Sequence, residues 1–171
     1  MTKEDISQFQ NSVADKNPQE TIAWFLEHFS GKIALSNSMG AEDQVLTDMI
    51  CKIDKNIPIF TLDTGRLFPE TYDLIDRTNK RYGIQIKVYF PEYSAVESMV
   101  HEKGMNLFFE SVENRKQCCH IRKIEPLKRA FNGLDVWICG LRREQSITRT
   151  DVNKVEWDEN NGLIKLNPLV D

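Results

Sequence analysis

Cys118 and Cys119 stand side by side in "RKQCCHIRK", inside a run of cations. They are poorly placed to bridge each other. Consecutive Cα atoms lie about 3.8 Å apart, short of the roughly 4.4–6.8 Å that disulfides span. Neighbouring cations lower a thiol's pKa, which favours thiolates for nucleophilic attack or metal ligation. On the residues alone three roles stay open: two ligands of an iron–sulfur cluster that takes four cysteines, a redox pair, or inert thiols. The other two cysteines read as structural. Cys139 lies in the apolar run "VWICG", and Cys51 in a helix interior read as free of a nearby cation. His28, His101 and His120 have no zinc-like spacing.

Three further stretches carry groups that hold anions or nucleotides. In "SNSMGAED", Ser36, Ser38 and Gly40 offer hydroxyls and backbone N–H groups where a helix begins, with Ala41, Glu42 and Asp43 as its first turn. A phosphate suits such a place, although Ser38 acting as a helix cap explains the same residues. The loop is not a Walker A motif, because no Gly-Lys-Ser/Thr follows. In "LDTGRLFPETY", backbone groups around Leu62, Asp63 and Thr64 could meet a base or ribose edge. The competing reading is a left-handed turn that needs Gly65. In "GLRREQS", Arg142 and Arg143 follow Gly140, and their forked guanidinium groups match phosphate or sulfate oxygens.

These stretches need a scaffold, and the pattern supplies one. A helical region from Lys3 to Phe29 is followed by apolar strands at "KIALSNS", "IPIFTLDTG", "IQIKVYFP" and "LDVWICGLRRE", separated by helical stretches. Pro126 should kink or restart the helix of "VENRKQCCHIRKIEPLKRAF". Asn161-Gly162 marks a hairpin turn in "KVEWDENNGLIKLNP". Alternating strands and helices imply an α/β fold: a mostly parallel twisted sheet with helices on both faces. Ligands of such sheets sit at the carboxyl ends of the strands, where three of the exits quoted above would converge.

Composition narrows the classes. The chain of 171 residues suits one domain over 1–171, and its net charge of −4 gives no general attraction to nucleic acid or anionic membranes. Neither a membrane-spanning run nor a signal-peptide core is evident, so the cytoplasm is the expected compartment. Positive charge is local: Arg115, Lys116, Arg122, Lys123, Lys128 and Arg129 cluster with Glu125 as their only acid, and Arg142, Arg143 and Arg149 follow. Such clustering in an acidic chain suits a small anionic ligand, or simply a solvated helix face.

Taken in order, "SNSMGAEDQVL", "FTLDTGRLFPETYDLID", "RKQCCHIRKIEPLKRA" and "WICGLRREQSITR" resemble the assimilatory sulfonucleotide reductases, in particular the bacterial adenosine 5′-phosphosulfate (APS) reductases. The resemblance runs from about Lys32 to Asp171. It implies an adenine-nucleotide α-hydrolase-like fold and reduction of APS to sulfite and AMP, with thioredoxin as electron donor. It also implies roles. Ser36 to Asp43 would cradle the phosphate side. Leu62 to Gly65 and Gly140 would present backbone to the adenosine, and Arg142 and Arg143 would face the phosphosulfate. Cys118 and Cys119 would be two ligands of a [4Fe–4S] cluster, with Lys123 between cluster and substrate. The Cys-Cys pair favours APS over the 3′-phosphorylated PAPS, whose reductases commonly lack it.

The family's later Cys-x-x-Cys and its C-terminal nucleophilic cysteine have no counterpart before "KLNPLVD". The chain is therefore expected to lack the family's C-terminal segment, to hold no catalytic residue of its own, and to fail to turn over alone. A homo-oligomer is compatible with this reading. Competing readings are a PAPS reductase, an ATP pyrophosphatase of the same fold and a non-catalytic nucleotide-binding module. The ATP pyrophosphatase is disfavoured because its Ser-Gly-Gly-x-Asp-Ser loop is absent.

Overall fold

The computed structural model describes residues 3–145 and 152–170. Arg149 lies outside them. The N-terminal region is not one helix. It forms α1 (Ile6–Ser12) and α2 (Pro18–His28), separated where Asn17 and Pro18 start a new helix. Asn17 and Glu20 close a reciprocal capping box, each side chain 2.9 Å from the other's backbone N. Pro18 occupies the first turn, where its missing N–H costs nothing.

Then come β1 (Ile33–Ser36), α3 (Ala41–Ile53), β2 (Ile59–Leu62), α4 (Pro69–Tyr82), β3 (Lys87–Tyr89) and α5 (Tyr93–Lys103). The third strand is shorter than the apolar run "IQIKVYFP" suggests. After a short 3₁₀ turn at Leu107–Phe109 a longer helical segment begins as α6 (Val112–Cys119), widens into a π turn at His120–Ile124 and ends as α7 (Glu125–Phe131). Pro126 is the physical reason for the widening. It has no N–H for the carbonyl four residues back, and the Glu125 N–H bonds five residues back to His120 O instead. The chain closes with β4 (Val136–Ile138), β5 (Val155–Asp158) and β6 (Leu163–Leu166).

The strands form one six-stranded sheet in the order β3-β2-β1-β4-β6-β5. All neighbours are parallel except β5 and β6, the hairpin whose turn contains Asn161 and Gly162. Alternation along the strands sorts the two faces. Ile33, Leu35, Ile59, Val136, Ile138, Ile164 and Leu166 pack with α1, α2, α3 and α4 around Ile22, Phe25, Leu46 and Ile50. Ala34, Phe60 and Leu163 pack on the other face against Ala130 and Phe131 of α7. Helices thus cover both faces, as expected. Met99, Leu107 and Cys118 form a separate small cluster that unites α5 and α6.

Strand order reverses between β1 and β4, the point at which open α/β sheets leave a crevice. The carboxyl ends of β1, β2 and β4 meet there.

Candidate functional site

A cavity of about 510 Å³ opens at that crevice, lined from β1–α3 by Ser36, Ser38, Glu42 and Asp43. The exit of β2 adds Leu62 and Thr64, the exit of β4 adds Gly140, and the π turn adds Lys123.

The β1–α3 loop is built around Asp43, whose side chain is 7% exposed. Its Oδ2 accepts from Ser38 N at 2.7 Å and Ser38 Oγ at 2.6 Å, and its Oδ1 accepts from Gly140 N at 3.2 Å. One carboxylate therefore ties β1 to the exit of β4. A Cβ on Gly140 would collide with Asp43 Oδ1 and stand 2.9 Å from Glu42 Cβ, so only glycine lets the strand exits approach. Asn37, fully buried, receives Met39 N on Oδ1 at 2.6 Å and donates to Thr47 at 2.8 Å. These bonds hold Met39 at φ 65°, a left-handed conformation that costs free energy in a non-glycine residue. Ser38 is not the helix cap: the capping position is Gly40, and the Ser38 hydroxyl is spent on Asp43.

The β2 exit is a tight turn. Asp63 Oδ1 accepts from Gly65 N at 2.7 Å, and its Oδ2 accepts from Tyr72 Oη at 2.9 Å. That second bond holds the Tyr72 phenol above the usual tyrosine range. Gly65 has φ 70°, so the left-handed turn is real. Leu62 and Thr64 line the cavity at the same time. Both sequence readings of this turn are therefore compatible.

A second cavity, of about 560 Å³, is lined by Thr64, Arg66, Phe108, Arg115, Lys116, Cys118, Cys119, Arg122 and Lys123. Thr64 and Lys123 line both cavities. Cys118 is buried and Cys119 exposed, and both face this cationic chamber. Among the described residues Arg115, Lys116 and Lys123 make no ion pair, whereas Arg129 is held by Glu125 at 2.7 Å. No group of three or more His, Cys, Asp or Glu side chains suited to a metal occurs among the described residues. Two adjacent thiols amid unpaired cations are chemically suited to one edge of an anionic cluster, for which they would be two of the four ligands.

The remaining cysteines differ in kind. Burial pushes the Cys139 thiol up to about 12, and its Sγ lies 2.9 Å from Asn167 Oδ1. Burial also raises Cys51. A cation, Lys55, does act on it, contrary to expectation, but is outweighed.

Of the residues named from sequence, Ser36, Ser38, Glu42, Asp43, Leu62, Thr64, Gly140 and Lys123 line the first cavity. Gly40, Ala41, Asp63 and Gly65 are not among its lining residues, although Asp63 and Gly65 close the turn that carries Leu62 and Thr64. The arginine pair divides. Arg142 Nη2 lies 3.2 Å from Glu42 Oε1 on the rim, while Arg143 Nε donates to Val152 O at 3.0 Å. Sequence reasoning included Asn37 only as part of the Ser36 to Asp43 loop and missed Thr61, Trp137 and Lys165 on the walls. Strand alternation was the available signal, since Trp137 and Lys165 share the α7 face of adjacent strands.

Among the described residues no helix is long and apolar enough to cross a membrane. Residues 32–171 match the phosphoadenosine phosphosulfate reductase domain. An adenosine 5′-phosphosulfate reductase of Burkholderia cepacia is 49% identical over 140 residues, covering 82% of this chain. The chain spans 56% of the length of that relative. A solved phosphoadenylyl-sulfate reductase of Candida auris, in a phosphate complex, superposes with a TM-score of 0.81 at 27% identity, covering 99% of this chain and 80% of its own. An NH3-dependent NAD synthetase of Campylobacter jejuni, at 10% identity and a TM-score of 0.59 over 98% of this chain and 68% of its own, shares the fold alone. On the domain match and the close relatives, the chain belongs to the phosphoadenosine phosphosulfate reductase domain family.

Proposed function

We propose that this chain is the nucleotide-binding part of an APS reductase, which reduces APS to sulfite and AMP with thioredoxin as electron donor in the cytoplasm. The observation that carries the reading is the shared wall: Thr64 and Lys123 line both the crevice and the thiol chamber. A nucleotide in the crevice would place its anionic end beside the cations that surround Cys118 and Cys119. Relatives named APS reductases, at 44–49% identity, support APS as substrate.

On this reading the chain's own residues bind, orient and screen. Leu62 to Gly65 and Gly140 offer backbone to the adenosine. The loop from Ser36 to Asp43 faces the phosphate side, with Ser38 held in place by Asp43. Gly40 and Ala41 open the helix whose N-terminal dipole points toward the anion. Lys123 and Arg142 lower the cost of bringing a thiolate to an already anionic sulfonyl group. Arg143, whose Nε donates to Val152 O, is not among the residues that line the crevice. Cys118 and Cys119 would be two of four ligands of a [4Fe–4S] cluster, which when bound adds a polarising field next to the sulfonyl group. Cys139 and Cys51 are unfit as the attacking thiolate, because burial keeps both protonated.

Calorimetric titration with APS, PAPS, AMP and magnesium ATP tests the assignment. APS and AMP are expected to bind, APS more tightly than PAPS. Preference for magnesium ATP would replace it with an ATP pyrophosphatase, and preference for PAPS with a PAPS reductase.

A further inference from the structure

Arg122 is the buried one among the cations that surround Cys118 and Cys119, 6% exposed. Its Nη1 donates to Thr64 O at 2.7 Å, across 58 residues of chain. No carboxylate pairs with it among the described residues, and its Nε is buried with no hydrogen-bond partner. A guanidinium buried without an acid beside it carries a desolvation cost that the bond to Thr64 O offsets only in part.

What it touches is the nucleotide turn. Thr64 lines the crevice, and Gly65 beside it sits at φ 70°, where a Cβ would press against Arg122 Nη1 at 3.1 Å. Two residues on, Arg66 donates to Met105 O at 2.9 Å and to Asn106 Oδ1 at 3.1 Å, and stacks over Phe108 at 4.7 Å. The turn is thus stapled at two points to the layer that carries the cysteines. The buried staple is Arg122, which immediately precedes Lys123 within the π turn.

We propose that Arg122 is a positioning residue, fixing the Thr64 carbonyl so that the Leu62–Gly65 backbone is preset for adenosine. The proposal rests on the nucleotide reading of the crevice. It separates two functions within one dipeptide: Lys123 meets the ligand's anionic end through space, and Arg122 acts through the turn on the neutral nucleoside. A side chain that acts through the turn must weaken adenosine and AMP alike, whereas one that acts by charge must weaken AMP alone.

The experiment compares wild type with Arg122→Met and Arg122→Lys in this chain. AMP and adenosine are titrated by calorimetry, and hydrogen exchange is followed in peptides spanning 62–67. Arg122→Met should lose affinity for both ligands by the same factor, fivefold or more, with faster exchange in 62–67 and unchanged exchange in α2. Arg122→Lys, which can still donate to Thr64, should show the same pattern at smaller amplitude and serves alone should Arg122→Met not fold. Loss confined to AMP would overturn the proposal, as would unchanged affinity for both ligands or unchanged exchange in the turn. If wild type binds neither ligand, the nucleotide reading falls separately, and the exchange data alone decide whether Arg122 holds the turn.

Discussion

The two chambers at the sheet rim are built on opposite principles. In the crevice the polar groups satisfy one another: Asp43 takes three donors from two segments, Asn37 takes one and gives one, and Asp63 closes its own turn. In the thiol chamber Arg115, Lys116 and Lys123 have no acid beside them among the described residues. The first is a preorganised backbone mould whose charge is already consumed. The second is a reservoir of unspent charge on a widened helix. Substitutions in the crevice should therefore cost stability first, and substitutions in the thiol chamber should cost ligand affinity first.

Asp43→Ala gives the largest expected effect. It strands the Ser38 and Gly140 N–H groups, and hydrogen bonds to a buried charge contribute about 1.5–3 kcal/mol each. A loss of about 4 kcal/mol in urea unfolding is expected, together with loss of AMP binding. A loss under about 1 kcal/mol would mean the loop is held by other contacts. Gly140→Ala comes next. Its methyl must displace Asp43 or Glu42, and overpacking of this kind costs about 1–3 kcal/mol. Wild-type stability and AMP affinity in that variant would show the strand exits to be looser than the mould requires.

How much of this was legible beforehand follows from the same contrast. The sheet, its two covered faces and the rim were readable because periodicity and strand-exit composition are local signals. The thiol pair and its cations are contiguous in "RKQCCHIRK" and were visible for the same reason. The break at Asn17-Pro18 was local too, but the apolar spacing across it hid the cap. The bonds that tie the crevice together, by contrast, join Asp43 to Gly140 across 97 residues and Arg122 to Thr64 across 58. No pattern along the chain encodes which of several carboxylates or arginines makes such a link. For the same reason the sequence could not say which of Arg142 and Arg143 is structural, and the two part company in space.

The opposite arm of the comparison predicts affinity changes without stability changes. Lys123→Met should leave urea unfolding within about 0.5 kcal/mol of wild type, as is usual for an exposed cation without a partner. AMP should bind about tenfold more weakly, a loss of about 1.4 kcal/mol, because one charge facing the phosphate is removed at a partly desolvated site. Arg115→Met, equally exposed but lining only the thiol chamber, should change AMP affinity less than about twofold, within the small effects of distant surface charges. Equal losses in the two variants would mean that the cations act as one diffuse field, and the distinction between the chambers would lose its electrostatic half.

The smallest expected effect separates the two classes of thiol by pH. Cys139 has its thiol raised from 9.0 to about 12 by burial, so the folded protein holds a proton that the unfolded chain releases. Its contribution to stability is complete below pH 9.0 and is lost as pH rises from 9.0 towards 12. Between pH 9 and 10 the loss should be about 1 kcal/mol. Tyr72 and Tyr82 are also raised above 10.0, so they add to the decline chiefly beyond that window. Cys51, raised in the same direction, adds to it within the window. Comparing slopes of unfolding free energy in wild type and Cys139→Ala isolates the Cys139 share, whatever the substitution does to absolute stability. At pH 8 iodoacetamide should accordingly modify the exposed Cys119 first and leave Cys139 untouched until the protein unfolds. Modification of Cys139 in the folded state would mean that the wall of the crevice opens to solvent, and the mould would not be rigid where Asp43 and Gly140 join it.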